Sequence, residues 1–270
     1  MEISQWINQA SQALSDAVIP SPRLDAEMIL AATLRHNRTW LHAHSDEIID
    51  PRFLDIANAR VQLRIDRVPI AYITGKKEFY GRCFSVSPQV LIPRPDSEVI
   101  IDLLKEWYHD NKSARYILDV GTGSGCLGIT AKLEIPQLDV TLLDNSRAAL
   151  KIAEKNAANL GAAVDIEKSN LLSRHPFFPD CIIANLPYVD KTWSVSPETR
   201  HEPEEALFAK NDGLQLIEKL ITQATNQQTP GGALILEADP RQHKSIETFA
   251  KQYSYVLQKT SGFGLLFIHR

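Results

Sequence analysis

The chain is poor in cysteine and has no CxxC pair: Cys83, Cys126 and Cys181 lie scattered through 270 residues. That excludes a disulfide framework and a cysteine-built zinc cage. It lacks a strong charge of one sign, with 29 basic against 33 acidic residues and a net charge of -4. A polycationic nucleic-acid binder is therefore not expected. The first 75 residues, with nine acidic residues, seven Arg and no Lys, are no polycation either. No apolar run approaches the ~18 residues of a membrane span. Met1-Glu2-Ile3-Ser4-Gln5-Trp6 has no basic stretch ahead of an apolar one, so no signal peptide is expected. There is no internal repeat and no low-complexity segment. The expectation is a cytoplasmic protein with no membrane attachment, no bound metal and no direct nucleic-acid contact.

Hydrophobic residues make up 44% and charged residues 23%, the balance of a folded globular chain. The length suits two domains. The first 70 residues read as helices. Ile3, Trp6, Ile7, Ala10, Leu14, Ala17 and Val18 form one apolar stripe at helical spacing. Ser21-Pro22 and Asp50-Pro51 each place a capping side chain before a proline at the first helical position. The helices they open run to about 34 and 67. Arg60, Arg64 and Arg67 share one helical face and read as a solvated stripe, with a docking face as the alternative. His42-x-His44 reads as a surface pair, because no third metal ligand accompanies it.

The character changes at Pro69. Residues 77–92 hold Phe79, Tyr80, Phe84, Val86, Val90 and Leu91 around Gly81 and Pro88, which suggests a hairpin. Pro93-Arg94-Pro95 stiffens the chain, and Asp96-Ser97 can cap a helix from 98 to about 107. From Tyr116 strands and helices alternate: strands at 116–120, 140–143, 164–167, 181–184 and 233–237, helices at 126–133, 147–160, 212–227 and 241–253. Strands at 255–258 and 264–269 close the chain as an antiparallel edge hairpin. Such alternation implies an α/β fold with a mostly parallel sheet covered on both faces.

The strongest local signal is Asp119-Val120-Gly121-Thr122-Gly123-Ser124-Gly125, between a strand and a helix. Glycines let backbone approach a ligand, and the helix N-terminus offers free N–H groups. About 20 residues on, Asp144 ends the next strand, where an acid can accept both hydroxyls of an adenosine ribose. The loop alone fits two cofactors equally. Gly123-Ser124-Gly125-Cys126-Leu127-Gly128 matches the G-x-G-x-x-G of dinucleotide sites. Asp119-x-Gly121-x-Gly123-x-Gly125 matches the pattern of S-adenosylmethionine sites.

Asn185-Leu186-Pro187-Tyr188 separates the two. It follows the buried strand 181–184, and ligands of open parallel sheets bind beyond the strands' carboxyl ends. The Asn185 side-chain oxygen and the Leu186 carbonyl are convergent acceptors, Pro187 stiffens the turn, and Tyr188 offers a flat ring. Two acceptors and a ring suit a planar –NH2 group. Its lone pair is delocalised, so positioning it toward an electrophilic methyl is what such a site contributes. Asn185 and Tyr188 are thus the candidate catalytic residues. Asn185, Leu186, Pro187 and Tyr188 are the candidate substrate contacts.

With these motifs the sequence resembles class I methyltransferases that modify planar nitrogens. The 67–75 segment, Glu78-Phe79-Tyr80-Gly81, the 90–98 segment, Glu202-Pro203 and Asp212-Gly213-Leu214 narrow the likeness. So does Ser21-Pro22-Arg23-Leu24-Asp25-Ala26-Glu27. Together they resemble the peptide chain release factor glutamine methyltransferases, the HemK/PrmC family. The resemblance implies a helical substrate-docking domain over 1–75, a hairpin linker over 76–93 and a seven-stranded, Rossmann-like methyltransferase domain over 94–270. It implies methyl transfer from S-adenosylmethionine, leaving S-adenosylhomocysteine, to the Gln side-chain amide in the Gly-Gly-Gln loop of class I release factors. A monomer is expected. The cofactor contacts implied are Asp119, Gly121, Thr122, Gly123, Ser124, Gly125, Asp144, Asn170, Leu171 and Asn185.

The chain departs from the family pattern in three places. Leu186 replaces the proline of Asn-Pro-Pro-Tyr but keeps the backbone carbonyl. Asn170-Leu171 stands where an acid and an aromatic are usual, so the adenine loses a charged acceptor and a stacking partner. Asn145 follows Asp144, with no evident consequence. The alternative function is an adenine-N6 methyltransferase on rRNA or DNA, since adenine also presents an –NH2. Against it, those enzymes place the glycine loop early and the helical domain late. A nicotinamide oxidoreductase and a non-catalytic binding module are weaker rivals. Glu202 has no assignable role from sequence.

Overall fold

A computed structural model describes residues 1–173 and 178–270, and the chain divides into two compact units. The first comprises Met1–Lys76 and Val195–His201; the second comprises Lys77–Ser194 and Glu202–Arg270.

The first unit is helical: α1 Ile3–Asp16, α2 Pro22–Leu34, α3 Arg38–Ala43, α4 Pro51–Ile65 and α5 Ile70–Thr74. The apolar stripe of α1 is buried at Ile3, Trp6, Ile7, Ala10 and Leu14. It packs with Ile29, Leu30 and Leu41 in one core. Pro22 and Pro51 stand at the first turns of α2 and α4, and Asp50 caps α4 by accepting from Arg52 N at 2.9 Å. The sequence pattern missed α3, which Asn37 caps by accepting from Trp40 N at 2.8 Å.

The arginine stripe is not a solvated face. Arg64 is only 6% exposed. It donates from Nε to Asp25 at 2.7 Å and from Nη1 to Glu198 at 3.2 Å. Arg60 donates to Thr33 Oγ1, and Arg67 to the carbonyls of Ala17 and Val18. Helical spacing shows which residues share a face but not what that face meets. A guanidinium is buried once acceptors surround it, and loss of one partner would then be costly. Through Glu198, Arg64 and Arg67 make the 195–201 segment part of the helical unit.

The second unit begins with the hairpin β1 Lys76–Phe79 and β2 Arg82–Ser85. Its strands are shorter than the 77–92 expectation. Tyr80 and Gly81 both have positive φ, the geometry of a tight two-residue hairpin turn. Phe79 and Phe84 are buried in the core of this unit, ring edge to ring face. The remaining helices are α6 Glu98–Asp110, α7 Cys126–Glu134, α8 Arg147–Leu160, α9 Glu204–Leu207, α10 Gln215–Thr225 and α11 His243–Lys251. The remaining strands are β3 Tyr116–Val120, β4 Asp139–Asp144, β5 Asp165–Lys168, β6 Cys181–Ala184, β7 Ala233–Glu237, β8 Tyr255–Ser261 and β9 Gly264–His269.

The expected seven-stranded sheet is present, in the order β5-β4-β3-β6-β7-β9-β8. β9 runs antiparallel to both β7 and β8, and the other pairings are parallel. The strands that pair on both sides are mostly apolar, as burial on two faces favours, with buried polar exceptions that include Asp119 in β3, Thr141 in β4 and Glu237 in β7. Helices α6, α7 and α8 cover one face, and α10 and α11 the other. The strand order reverses at β3, where β4 lies on one side and β6 on the other. Register places Val120 beside Leu143 and Ala184, so the glycine loop, Asp144 and Asn185 emerge from neighbouring strand ends. That is the crevice where ligands bind in this class of sheet. Among the described residues, no helix is long and apolar enough to cross a membrane.

Candidate active site

A cleft opens above the ends of β3, β4 and β6 and encloses about 1040 Å³, including space open to solvent. Gly121, Thr122, Gly123, Ser124, Asp144, Asn170, Leu171, Asn185, Leu186 and Pro187 all line it. Sequence positions spread from 121 to 187 are thus gathered in one place. Asp119, Gly125 and Tyr188 are not among its walls.

The glycine loop is shaped by backbone bonds. Gly121 and Thr122 both donate to the Leu143 carbonyl, and Gly125 to that of Thr122. Gly121 has φ +75°, and a Cβ there would lie 2.8 Å from Leu186 Cδ2. Leu186, 4% exposed, therefore packs its side chain onto the loop. The family departure at this position fills space at a glycine in the wall of the cleft.

Asp119 stands behind the loop, fully buried. Its Oδ2 accepts from Thr122 Oγ1 at 2.6 Å and from Gly128 N at 2.8 Å. Gly128 is the last glycine of the G-x-G-x-x-G match, and a Cβ there would strike Leu142 and Asp119. That glycine serves helix–strand packing. Burial lifts the Asp119 carboxyl to a pKa of about 6. Asp144 accepts from Gly123 N at 2.9 Å and Ser146 N at 2.8 Å. Each of its oxygens keeps a lone-pair direction for a ligand. Burial raises its pKa against these bonds.

These features fit an adenosine-bearing cofactor. The loop leaves room for a ligand against its backbone, Asp144 keeps acceptor capacity, and the buried hydroxyl of Ser169 lines the cleft with no partner among the described residues. Asn170 Oδ1 lies 3.5 Å from Lys219 Nζ, and Leu171 supplies an apolar wall beside it.

At the target motif, Asn185 donates from Nδ2 to Ser97 Oγ at 2.9 Å. Asp96-Ser97 reads in sequence as a helix cap, but Ser97 makes no capping bond. Tyr188 donates its hydroxyl to Glu237 Oε1 at 3.0 Å, and burial drives its pKa far up. The Tyr188 carbonyl accepts from Gln242 Nε2, which also donates to the Asp212 carbonyl. Gly213 presses on the same carbonyl, where a Cβ would come within 1.9 Å at φ +83°. This contact gives Asp212-Gly213 its place in the site.

Sequence reasoning missed two further groups, Glu237 and Asn156, and left a third, Glu202, without a role. Glu237 ends β7 inside an apolar run, and only its position after a strand signals it. Asn156 on α8 accepts from Ser85 N and donates to the Ser85 and Ser124 carbonyls, so it ties the hairpin to the glycine loop. Glu202 accepts from Ile92 N at 3.0 Å and pairs with Arg94. It anchors the segment whose Pro93 and Arg94 line the cleft.

His44 Nδ1 is taken by the Trp40 carbonyl, and His42 faces Glu27.

Comparison with known proteins agrees on one family. The model of the PrmC N-terminal domain matches residues 5–75, and that of the methyltransferase small domain residues 96–202. A release factor glutamine methyltransferase of Deinococcus radiodurans is 37% identical over 246 residues, covering 89% of this chain and 87% of the relative. One of Coxiella burnetii is 35% identical over 264 residues, covering 94% and 92%. Among solved structures, a methyltransferase from Pyrococcus furiosus superposes with a TM-score of 0.54 at 19% identity, covering 78% of this chain and 96% of that one. The 16S rRNA N2 G1207 methyltransferase of T. thermophilus gives 0.54 at 17% identity, covering 72% and 49%. These structural likenesses show the fold.

Proposed function

The chain belongs to the release factor glutamine methyltransferase family, and from that premise we propose how its residues perform the reaction. It is an S-adenosylmethionine-dependent methyltransferase that modifies the side-chain amide nitrogen of glutamine in a peptide chain release factor. S-adenosylmethionine supplies, when bound, an electrophilic methyl on a sulfonium centre.

Asp144 is proposed to accept the ribose hydroxyls. The loop 121–124 gives backbone contact, and Asn170 and Leu171 meet the adenine. Asp119 and Gly125 act from behind, by shaping that loop. Asn185 Oδ1 and the Leu186 carbonyl take the two N–H groups of the target carboxamide. Pro187 stiffens the turn between them. The Tyr188 ring, tethered through its hydroxyl to Glu237 behind the cleft wall, fixes the far side of the motif. The nitrogen gains the methyl as the methyl–sulfur bond breaks, the bonding pair stays on sulfur, and one N–H proton passes to solvent water, so the neutral amide is restored. Before transfer that nitrogen has little basicity, and the chain's contribution is to hold its plane still.

One observation carries this reading: Asn185 spends its Nδ2 on Ser97, which leaves Oδ1 as the acceptor at the cleft. The proposed substrate is the Gly-Gly-Gln loop of class I release factors, with the 1–75 helices as the docking domain. The protein is proposed to work as a monomer in the cytoplasm, where translation terminates, on protein rather than nucleic acid. Transfer of labelled methyl to a purified class I release factor, but not to one whose Gly-Gly-Gln glutamine is replaced, tests this. Equal labelling of adenine-containing RNA would favour the alternative substrate.

A further inference from the structure

Glu237, 2% exposed at the end of β7, belongs to none of the motifs. Its Oε1 accepts the Tyr188 hydroxyl at 3.0 Å, and its Oε2 is buried without a partner among the described residues. Two steps away, Asn185 donates to Ser97 Oγ at 2.9 Å. A serine oxygen that accepts one hydrogen bond still has its own proton to give, and the hydroxyl rotates to give it. Neither Ser97 nor Asn185 completes a hydrogen bond to the Glu237 carboxyl in this geometry, but both lie close enough to oppose the pKa rise that burial imposes, and the unpartnered Oε2 is the acceptor to which the Ser97 hydroxyl can turn.

An asparagine side chain has two nearly isosteric orientations, related by exchange of its oxygen and nitrogen. Only one offers oxygen to a substrate N–H. Ser97 alone cannot select it, because a hydroxyl donates or accepts equally well. An ionised carboxylate only accepts, so it can impose a direction on the chain of bonds.

We propose that Glu237 is a positioning residue of the methyl-transfer site: it takes the Ser97 proton, Ser97 must then accept from Asn185 Nδ2, and Asn185 Oδ1 is thereby held toward the target amide. The same carboxylate takes the Tyr188 proton, so one buried anion sets both ends of the 185–188 motif. The proposal rests on the reading of Asn185 as the acceptor for the target amide.

A pH dependence follows. Asp96 ahead of α6 and Asp239 beyond β7 face the Glu237–Tyr188 pair, and Asp239 is itself held by Arg241. Repulsion from Asp96 adds to burial in raising the Glu237 pKa. Once protonated, Glu237 becomes a donor and no longer forces Ser97 to accept. The rate of methyl transfer falls on the acid side as Glu237 takes up its proton.

The test compares wild type, Glu237→Gln and Ser97→Ala in single-turnover methylation of a class I release factor. Melting curves and calorimetric S-adenosylmethionine affinity are measured alongside. Both variants are expected to slow transfer by up to about 10²-fold, as lost orientation does. Cofactor affinity should change little. The acid limb of the wild-type rate profile should vanish in Glu237→Gln. Ser97→Ala keeps the Glu237–Tyr188 bond and isolates the relay should Glu237→Gln melt early. Wild-type rates in well-folded Ser97→Ala, or an unchanged acid limb in Glu237→Gln, would overturn the proposal while methylation by wild type stands. Absence of methylation by wild type would sink the underlying reading and the proposal together.

Discussion

Asp119→Asn removes one ionisable group from behind the glycine loop and preserves its shape. Asp119 is fully buried, with Oδ2 bonded to Thr122 and Gly128 and Oδ1 without a partner among the described residues. Desolvation outweighs those two bonds, and Asp144 adds repulsion, so the pKa rises from 3.8 to about 6. The folded state therefore holds this proton more tightly than the unfolded chain does. The stability contributed by this group is complete below the unfolded pKa of 3.8 and is lost as pH rises through about 6. A rise of roughly two pKa units corresponds to about 3 kcal/mol. Asparagine has no charge to desolvate. Its Oδ1 can accept both native bonds, while its Nδ2 stands unpartnered at a pH-independent cost of about 1–3 kcal/mol. Urea unfolding of both proteins at low and neutral pH reads the difference. Between about pH 4 and pH 7 wild type should lose about 2 kcal/mol more stability than Asp119→Asn. Parallel stability profiles would refute the reasoning, since they would mean that the Asp119 charge is not desolvated in the fold.

Asp144→Ala should weaken S-adenosylmethionine binding by roughly 10- to 150-fold in calorimetry, the worth of one charge-assisted hydrogen bond of about 1.5–3 kcal/mol. Asn185→Ala should slow single-turnover transfer by ~10²-fold or more, with a smaller change in cofactor affinity. Leu186→Pro keeps the carbonyl, so transfer should persist, but it strips the packing on Gly121 and should cost at most about 2 kcal/mol in urea unfolding. A fragment starting at Lys77 should bind S-adenosylmethionine. One starting at Arg94 should not fold, because it loses Phe79 and Phe84, and core phenylalanines are worth about 3–5 kcal/mol each; circular dichroism separates the two.

The inner strands of the sheet were legible because burial on two faces writes them as short, mostly apolar runs between helices of clear period, whereas the exposed edge strands β5 and β8 were legible from their place in the alternation. The loop at 121–125, Asp144 and the tetrapeptide at 185–188 were legible because each follows a strand and carries unusual residues. What escaped sequence reading was whatever depends on distant partners. Arg64 looks like any surface arginine until Asp25 and Glu198 close around it. Ser97 looks like a cap, yet its oxygen is taken by Asn185 from far along the chain. Glu237 and Asn156 carry no local pattern, since a buried polar group is recognisable only from the groups that satisfy it. The hairpin expectation ran too far because Val86, Val90 and Ile92 are apolar and buried as strand residues would be, although among the described residues β2 ends at Ser85. Leu186 reads as a weakened turn in sequence and proves to be a packing contact.

The most direct measurement is mass spectrometry of a class I release factor after incubation with this protein and S-adenosylmethionine. The account predicts one added methyl, localised by fragmentation to the glutamine of the Gly-Gly-Gln loop, and none when Asn185→Ala is used for a matched short time. A methyl on any other residue, or an unmodified factor beside methylated adenine in added RNA, would contradict it.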